Sequence, residues 1–316
     1  MEEIGGYIEF EYNHGAMLHE NSIHLNCARR AFSYLIKSRN IRKVWLPKLS
    51  CDSVIEPFIS SNCEINFFSV DSHFFPLINN IPTNDWIVII NYYGQIDNSS
   101  LSAIKEKYSH IIFDNTQAYF QSPLKDVDTI YSCRKFFGVS DGAFLYTNSF
   151  IEDNLEVDES YKRMTYLIGR FERSASEFYS LFDKNNSIFD AEPIKKMSKF
   201  TENILHGIDY QLIAQKRKNN YEYLHSAFSS INFLKLSIPS GPFMYPLYVD
   251  NASEIKKYLL SQNIYIPTLW PNVLDVCTED QIEFKLVKNI LPLPIDQRYG
   301  INHMKRIKES IIKCLN

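Results

Sequence analysis

Short apolar runs alternate with stretches of helical spacing along residues 1–150. The apolar runs are rich in β-branched and aromatic residues, which is typical of strands: KVWLP (43–47), EINFFSV (64–70), WIVIIN (86–91) and HIIFD (110–114). The stretches between them repeat apolar residues at helical intervals: ARRAFSYLIKS (28–38), CDSVIEPFIS (51–60) and SSLSAIKEKY (99–108). Near-continuous apolar strands that alternate with helices indicate a mainly parallel sheet buried on both faces.

The pattern changes in the second half of the chain. Residues 151–230 are polar and helix-like, and residues 197–228 form the longest continuous helical pattern. Further on, apolar runs and helical stretches are mixed: INFLKLSIP (231–239), FMYPLYV (243–249), ASEIKKYLLSQ (252–262) and INHMKRIKESIIKCL (301–315). We therefore predict an α/β protein with two domains. A large domain over 1–225 holds the mostly parallel central sheet, and a smaller C-terminal α+β domain covers 226–316.

Composition and charge argue against several classes of function. The net charge is -4 over 316 residues with no basic run, which disfavours nucleic acid and anionic membranes as partners. No apolar run reaches the roughly 18 residues of a membrane-spanning helix, and the acidic N-terminus lacks an apolar signal core. The six cysteines form no C-x-x-C pair and the eight histidines are scattered, which predicts reduced thiols in the cytoplasm and no metal site. Neither the dinucleotide-binding nor the P-loop glycine motif occurs.

The candidate chemistry lies where strands of the predicted sheet end, because ligands of parallel sheets bind at the carboxyl ends of strands. Asn91, Asp114 and Ser132 end three predicted strands, and Lys135 lies in the bend between DTIYSC (128–133) and GAFLYT (142–147). Taken singly, the aspartate is as well explained as a helix or turn cap as by a role in a pocket. A single lysine in such a bend is more often a solvated surface residue.

Together, the strand-end residues form a more specific set. Asp114, Gln117, Ser132 and Lys135 are the residue types that a pyridoxal phosphate site requires. A lysine bonds to the cofactor aldehyde, and a carboxylate pairs with the pyridinium nitrogen. A hydroxyl and the N–H groups of a helix N-terminus hold the phosphate.

The segment from 111 to 148, IIFDNTQAYF through YSCRKFFGVSDGAFLYTN, resembles the core of the DegT/DnrJ/EryC1/StrS family. These are pyridoxal phosphate-dependent sugar aminotransferases of fold type I. Four other segments are similar to parts of that family, so the resemblance extends over the chain from about residue 20: LNCARRAFSYLI (25–36), INYYGQIDN (90–98), KKMSKFTENILHGID (195–209) and ILPLPIDQRYGINHMKRI (290–307). The chain looks like a short branch associated with surface-polysaccharide biosynthesis, such as that of O-antigen.

The resemblance implies a function and an assembly. It implies amino transfer from a glutamate-like amino acid to a keto-sugar, which is expected to be nucleotide-linked, in a homodimer with its sites at the interface. It also implies residue roles. Lys135 would bond to the cofactor, Asp114 would hold the ring nitrogen, Gln117 would contact the ring or its 3-hydroxyl, and Ser132 would contact the phosphate.

Three departures from the family pattern bear on those roles. The phosphate turn contains Cys27, Ala28 and Arg29 where the family has Gly or Ser followed by Thr, so backbone N–H groups and the arginine would replace a hydroxyl. Cys51 occupies the position of the aromatic residue that stacks on the cofactor ring, which leaves Tyr92 or Tyr93 to pack there. Ser132 is closer to the lysine than is usual in the family. Arg134, between the two, is either a phosphate or substrate contact or an ordinary surface arginine.

Arg298 and the function as a whole also have other interpretations. Arg298, in LPIDQRYG, is either a substrate residue or part of a structural ion pair. The run from Ser132 to Lys135 also matches S-x-x-K of penicillin-recognising enzymes, but the S-D-N and K-T-G partners of that motif are missing. A catalytically silent relative acting as a binding protein is the main alternative. The branch that dehydrates sugars has histidine in place of the lysine, which argues against that reaction.

Overall fold

An eight-stranded sheet lies at the centre of the computed structural model, which describes residues 4–315. Its strands are β1 (Ile23–Leu25), β2 (Lys43–Pro47), β3 (Glu64–Val70), β4 (Pro76–Leu77), β5 (Trp86–Ile90), β6 (Ile111–Asp114), β7 (Asp128–Ser132) and β8 (Ala143–Tyr146). Their order across the sheet is β1-β8-β7-β6-β5-β2-β3-β4. Neighbouring strands from β7 across to β3 run parallel. At the edges, β8 is antiparallel to β7, β1 to β8, and β4 to β3. The predicted mainly parallel sheet is therefore confirmed.

The central strands β6 and β7 are buried at every position, so both faces of the sheet are covered there. Eleven α-helices lie within the described residues. They are α1 (Ala28–Ser38), α2 (Asp52–Ser60), α3 (Asn98–Lys105), α4 (Thr165–Glu172), α5 (Tyr179–Ala191), α6 (Lys199–His206), α7 (Tyr210–Phe228), α8 (Ala252–Ser261), α9 (Val273–Val276), α10 (Ile282–Asn289) and α11 (Ile301–Leu315). None of the helices within residues 4–315 is long and apolar enough to cross a membrane.

A second, smaller core forms near the C-terminus. Strands β9 (Met244–Tyr248) and β10 (Ile290–Pro294) pair antiparallel. Their buried side chains pack with those of α8, α11 and the last turns of α7. The division into domains at 225/226 stays a prediction, and that position falls within α7.

Two expectations from the sequence pattern are wrong in detail. The continuous helical pattern over 197–228 is broken, because α6 ends at His206 and Gly207 follows as its C-cap. Asp209 then starts α7 by accepting a hydrogen bond from the Leu212 N–H at 2.9 Å. The apolar run at 231–239 forms no strand and lies as irregular chain before β9.

Candidate active site

A pocket of about 330 Å³ lies at the carboxyl ends of the parallel strands. It collects the last residues of three neighbouring strands: Ile90, Asp114 and Ser132. Asn91, expected beside them, does not line it and instead holds the turn after β5, donating to the Ile96 carbonyl at 3.0 Å. A larger pocket, about 470 Å³, lies against β1 and contains neither Lys135 nor a strand end of the parallel sheet.

Lys135 brings an amine into the pocket. Its Nζ donates a hydrogen bond to Thr116 Oγ1 at 2.8 Å and lies 6.0 Å from the centre of the Phe243 ring. Among the described residues, Lys135 is the only lysine that lines this pocket. In the single chain the Lys135 side chain is exposed, and its hydrogen-bond partner is polar.

The bend that carries Lys135 is fixed at its far end. Gly142 has a φ of +111°, and a Cβ atom there would lie 3.1 Å from both Cys133 Sγ and a methyl group of Thr201, so only glycine fits. Next to it, the buried Asp141 carboxylate accepts hydrogen bonds from the Ser198 N–H and hydroxyl, both at 2.8 Å, and from the Thr201 hydroxyl. Burial raises the pKa of Asp141. The bend is thus tied to the start of α6.

Asp114 and Gln117 line the same pocket as the lysine. The Asp114 side chain is only 3% exposed, and its Oδ1 accepts a hydrogen bond from the Thr116 N–H at 2.8 Å. Gln117 Oε1 accepts from the Tyr93 N–H at 2.8 Å, which fixes the orientation of its amide. Thr116 therefore contacts the carboxylate through its backbone and the lysine through its hydroxyl.

The start of α1 forms the opposite wall of the pocket. Cys27 is the N-cap, makes no side-chain capping hydrogen bond, and precedes a first turn without acidic residues. Cys27, Ala28 and Arg29 line the pocket together with Ser132. Free N–H groups and the positive end of a helix dipole favour an anion at such a position. Burial raises the pKa of the Cys27 thiol, so this residue adds no negative charge there.

Two arginines flank this helix start. Arg29 pairs with Asp190 and donates to Ser53 Oγ at 2.9 Å. Arg134 donates to the Asn186 side chain and lies over the Phe189 ring, 4.8 Å from its centre. The Arg134 Nε is buried without a hydrogen-bond partner, and burial lowers the pKa of this guanidinium. A buried donor without a partner is costly, so it marks a place where an acceptor would bind.

Of the remaining predicted residues, one lines the pocket and three do not. Cys51 lines it, but Tyr92 and Tyr93 lie behind its wall, each 1% exposed, and burial raises the pKa of both phenols. Arg298 does not line it and pairs with Asp296 at 2.6 Å. The assignment of Tyr92 and Tyr93 to ring packing or substrate contact, and of Arg298 to the substrate, stays a prediction without support from their placement.

Sequence reasoning missed several residues that line the pocket, among them Thr116, Asn186, Phe189 and Trp270. Thr116 had a usable signal, since it lies between two residues that were singled out after β6. The other three come from α5 and from a loop of the C-terminal part, where nothing in the sequence indicates that they approach the strand ends.

These residues fit pyridoxal phosphate. The pocket offers a primary amine for an aldehyde, a buried carboxylate for a pyridinium nitrogen, and an uncapped helix start with an unpartnered arginine nitrogen for a phosphate. No group of three or more His, Cys, Asp or Glu side chains that could hold a metal ion occurs within the described part of the chain.

Comparison with solved structures identifies similar folds. The sugar aminotransferase CalS13 from Micromonospora echinospora is 13% identical and superposes with a TM-score of 0.63 over 92% of this chain and 86% of its own. A DegT DnrJ EryC1 StrS aminotransferase from Brucella abortus is 14% identical, with a TM-score of 0.60 over 92% and 85%. NtdA from Bacillus subtilis, solved with bound cofactor PMP, is 14% identical, with a TM-score of 0.66 over 92% and 72%.

By sequence, no family model and no curated protein matches the chain. At such low identity the superpositions establish the fold. The expected architecture is confirmed: the chain has the fold type I architecture of the sugar aminotransferases that its sequence resembles.

Proposed function

We propose that this protein is a pyridoxal phosphate-dependent aminotransferase that transfers an amino group from a glutamate-like amino acid to a keto-sugar. One observation carries the proposal. Thr116 joins the two groups that this chemistry needs, accepting from Lys135 Nζ and donating its N–H to Asp114, both at 2.8 Å. An amine and a buried carboxylate are thereby held on one side of a pocket whose other side suits an anion.

Each residue has a definite task in this proposal. When bound, the cofactor supplies an electron sink that stabilises negative charge at the carbon losing a proton. Lys135 holds the cofactor through Nζ and, once released, takes the proton from the donor's Cα. Asp114 keeps a proton on the ring nitrogen, and its burial strengthens that ion pair. Ser132 and the start of α1 orient the phosphate.

The sugar substrate is the less direct part of the proposal. We infer a nucleotide-linked keto-sugar used in surface-polysaccharide biosynthesis, such as that of O-antigen, from the sequence resemblance. CalS13, which has a similar fold, is a sugar aminotransferase, which agrees with a sugar as the amino acceptor. The cytoplasmic location expected from the scattered cysteines belongs to the same proposal.

We further propose a homodimer in which a second copy completes the site. The exposure of Lys135 supports this, because an amine that must lose its proton gains from a cover that excludes water. Exposed aromatic side chains also lie on the segment leading into and through α5, the helix that contributes Asn186 and Phe189 to the pocket: Tyr161, Phe171, Tyr179 and Phe182. Apolar side chains of this size favour burial against a partner.

The two half-reactions of transamination test the proposed activity without knowledge of the sugar. Protein loaded with pyridoxal phosphate should lose its visible absorption band on addition of excess L-glutamate or L-glutamine, and 2-oxoglutarate should restore it. Lys135→Ala should abolish turnover, whereas Lys162→Ala, an exposed lysine outside the pocket, should behave as the wild type. If bound cofactor responds to no amino acid, the protein is instead a binding protein or catalyses another reaction.

A further inference from the structure

Trp270 is an aromatic side chain of the C-terminal part that reaches the pocket between the strand ends and α1. It lies in the loop between α8 and α9, is 7% exposed, and lines the pocket together with Cys51 and Asp114. Of the three tryptophans in the chain, it is the one that lines this pocket.

The loop of Trp270 is fastened beside Cys51. Asn272 donates a hydrogen bond from Nδ2 to the Ser50 carbonyl at 2.9 Å. Tyr92 fixes the same region from behind, since its hydroxyl donates to the Leu49 carbonyl at 2.6 Å. These contacts place the indole next to the thiol that stands where the resembled family has an aromatic residue.

The indole is also held in one orientation. Tyr92 and Tyr93 meet it nearly perpendicularly, with ring centres 5.3 Å and 5.9 Å away and interplanar angles of 75° and 90°. Trp270 has a φ of +54°, an unfavourable conformation for a bulky residue. Such conformations persist where the surrounding structure enforces them, and they cluster at ligand sites.

We propose that Trp270 is the residue that packs against the pyridine ring of the cofactor, in the place left without an aromatic by Cys51. This inference rests on the proposed cofactor. A flat indole suits a flat pyridinium ring, and it attracts that ring's positive charge through its π face. Trp270 is then a positioning residue, which also links the C-terminal part of the chain to cofactor binding.

Calorimetric titration with pyridoxamine 5′-phosphate measures this contact without the lysine bond, because the compound carries no aldehyde. We expect Trp270→Leu to bind it about three- to tenfold more weakly than the wild type, and Trp270→Phe to stay within about twofold. Leucine and phenylalanine are both apolar, so their difference reports the aromatic ring. Trp86→Phe is the matched control, since Trp86 begins β5 and lies outside the pocket.

Fluorescence gives a second measurement. In the double variant Trp45→Phe, Trp86→Phe, Trp270 is the remaining tryptophan, and saturating pyridoxamine 5′-phosphate should quench most of its emission. Equal affinity of the leucine and phenylalanine variants, or weak quenching at saturation, would overturn the inference while leaving the proposed function intact. A wild type that binds neither pyridoxal phosphate nor pyridoxamine 5′-phosphate would overturn both.

Discussion

Arg217, a buried arginine of α7, connects the lysine bend to the C-terminal part of the chain, and its removal should destabilise the protein strongly. Its side chain is 1% exposed. The guanidinium donates to the carbonyl of Phe136, the residue after Lys135, at 3.2 Å, and to those of Pro242 and Phe243 at 3.1 and 3.2 Å. It also lies 4.6 Å from the centre of the Phe136 ring.

The magnitude follows from the acceptors that Arg217→Ala leaves behind. Gln297 also donates to the Phe136 carbonyl, at 2.6 Å, so that acceptor keeps a partner. The Gln297 Oε1, which accepts from the arginine Nε at 2.8 Å, is only half-buried and can accept from water instead. The Pro242 and Phe243 carbonyls lose the arginine, at about 1–3 kcal/mol each, and the cavity adds about 2–5 kcal/mol. Burial lowers the pKa of Arg217 to about 10, which means that the buried charge is itself destabilising. Removing this charge therefore offsets about 3 kcal/mol of the loss. Together these contributions give an expected net loss in the free energy of unfolding of about 1–8 kcal/mol.

Urea denaturation followed by circular dichroism measures this loss. Arg217→Met fills most of the volume but donates no hydrogen bond, so its loss should be smaller than that of alanine. Lys218→Ala is the matched control on the same helix, because its exposed pair with Glu222, at 3.7 Å, contributes at most about 1 kcal/mol. If Arg217→Ala unfolds at the same urea concentration as the control, the hydrogen bonds of Arg217 do not stabilise the lysine bend and this reasoning is wrong.

Three further predictions concern acid stability, catalysis and assembly. Burial lowers the pKa of His19 from 6.5 to about 4. As the pH falls, His19 therefore takes up a proton in the unfolded chain before it does so in the folded protein. The free energy of unfolding should fall by about 3 kcal/mol between these two pKa values. Urea denaturation of His19→Gln should show a flatter pH profile, and an unchanged slope would assign the effect to other groups. Asp114→Asn should retain the fold and bind cofactor but slow the half-reaction with L-glutamate at least about tenfold, since a neutral amide cannot hold the ring nitrogen protonated. A near-normal rate in rapid-mixing absorbance would reduce Asp114 to a structural aspartate. Phe171→Asp, at a side chain 93% exposed, should give monomers in light scattering, whereas Phe233→Asp in the C-terminal part should not. Dimers of the Phe171 variant would place the interface elsewhere.

The sequence pattern predicted the elements whose burial follows a local period. Strands β2 and β3 and helix α1 have the predicted bounds, because each combines a clear apolar pattern with proline or a polar residue at its end or directly after it. Strand β1 has only three residues and therefore carries no period, and it exists through its pairing with β8. The glycine that separates α6 from α7 breaks a pattern that otherwise continues.

In the candidate site too, the local pattern predicts some residues, whereas others depend on packing between distant parts of the chain. Asp114 and Ser132 could be placed together because parallel strands bring their carboxyl ends to one edge. Trp270 could not be placed there, because packing between distant parts of the chain brings its loop to Tyr92 and Tyr93. The sequence left the exposure of Lys135 open, because strands that flank a residue in sequence need not enclose it in space.

The most direct test of the central claim is to identify the residue that bonds to the cofactor. Protein loaded with pyridoxal phosphate is reduced with borohydride, digested and mapped by mass spectrometry. We expect one labelled peptide, with the pyridoxyl group on Lys135, and no label in Lys135→Ala, while Lys162→Ala is labelled as the wild type is. A label on another lysine, or a wild type that takes up no label, would contradict the account.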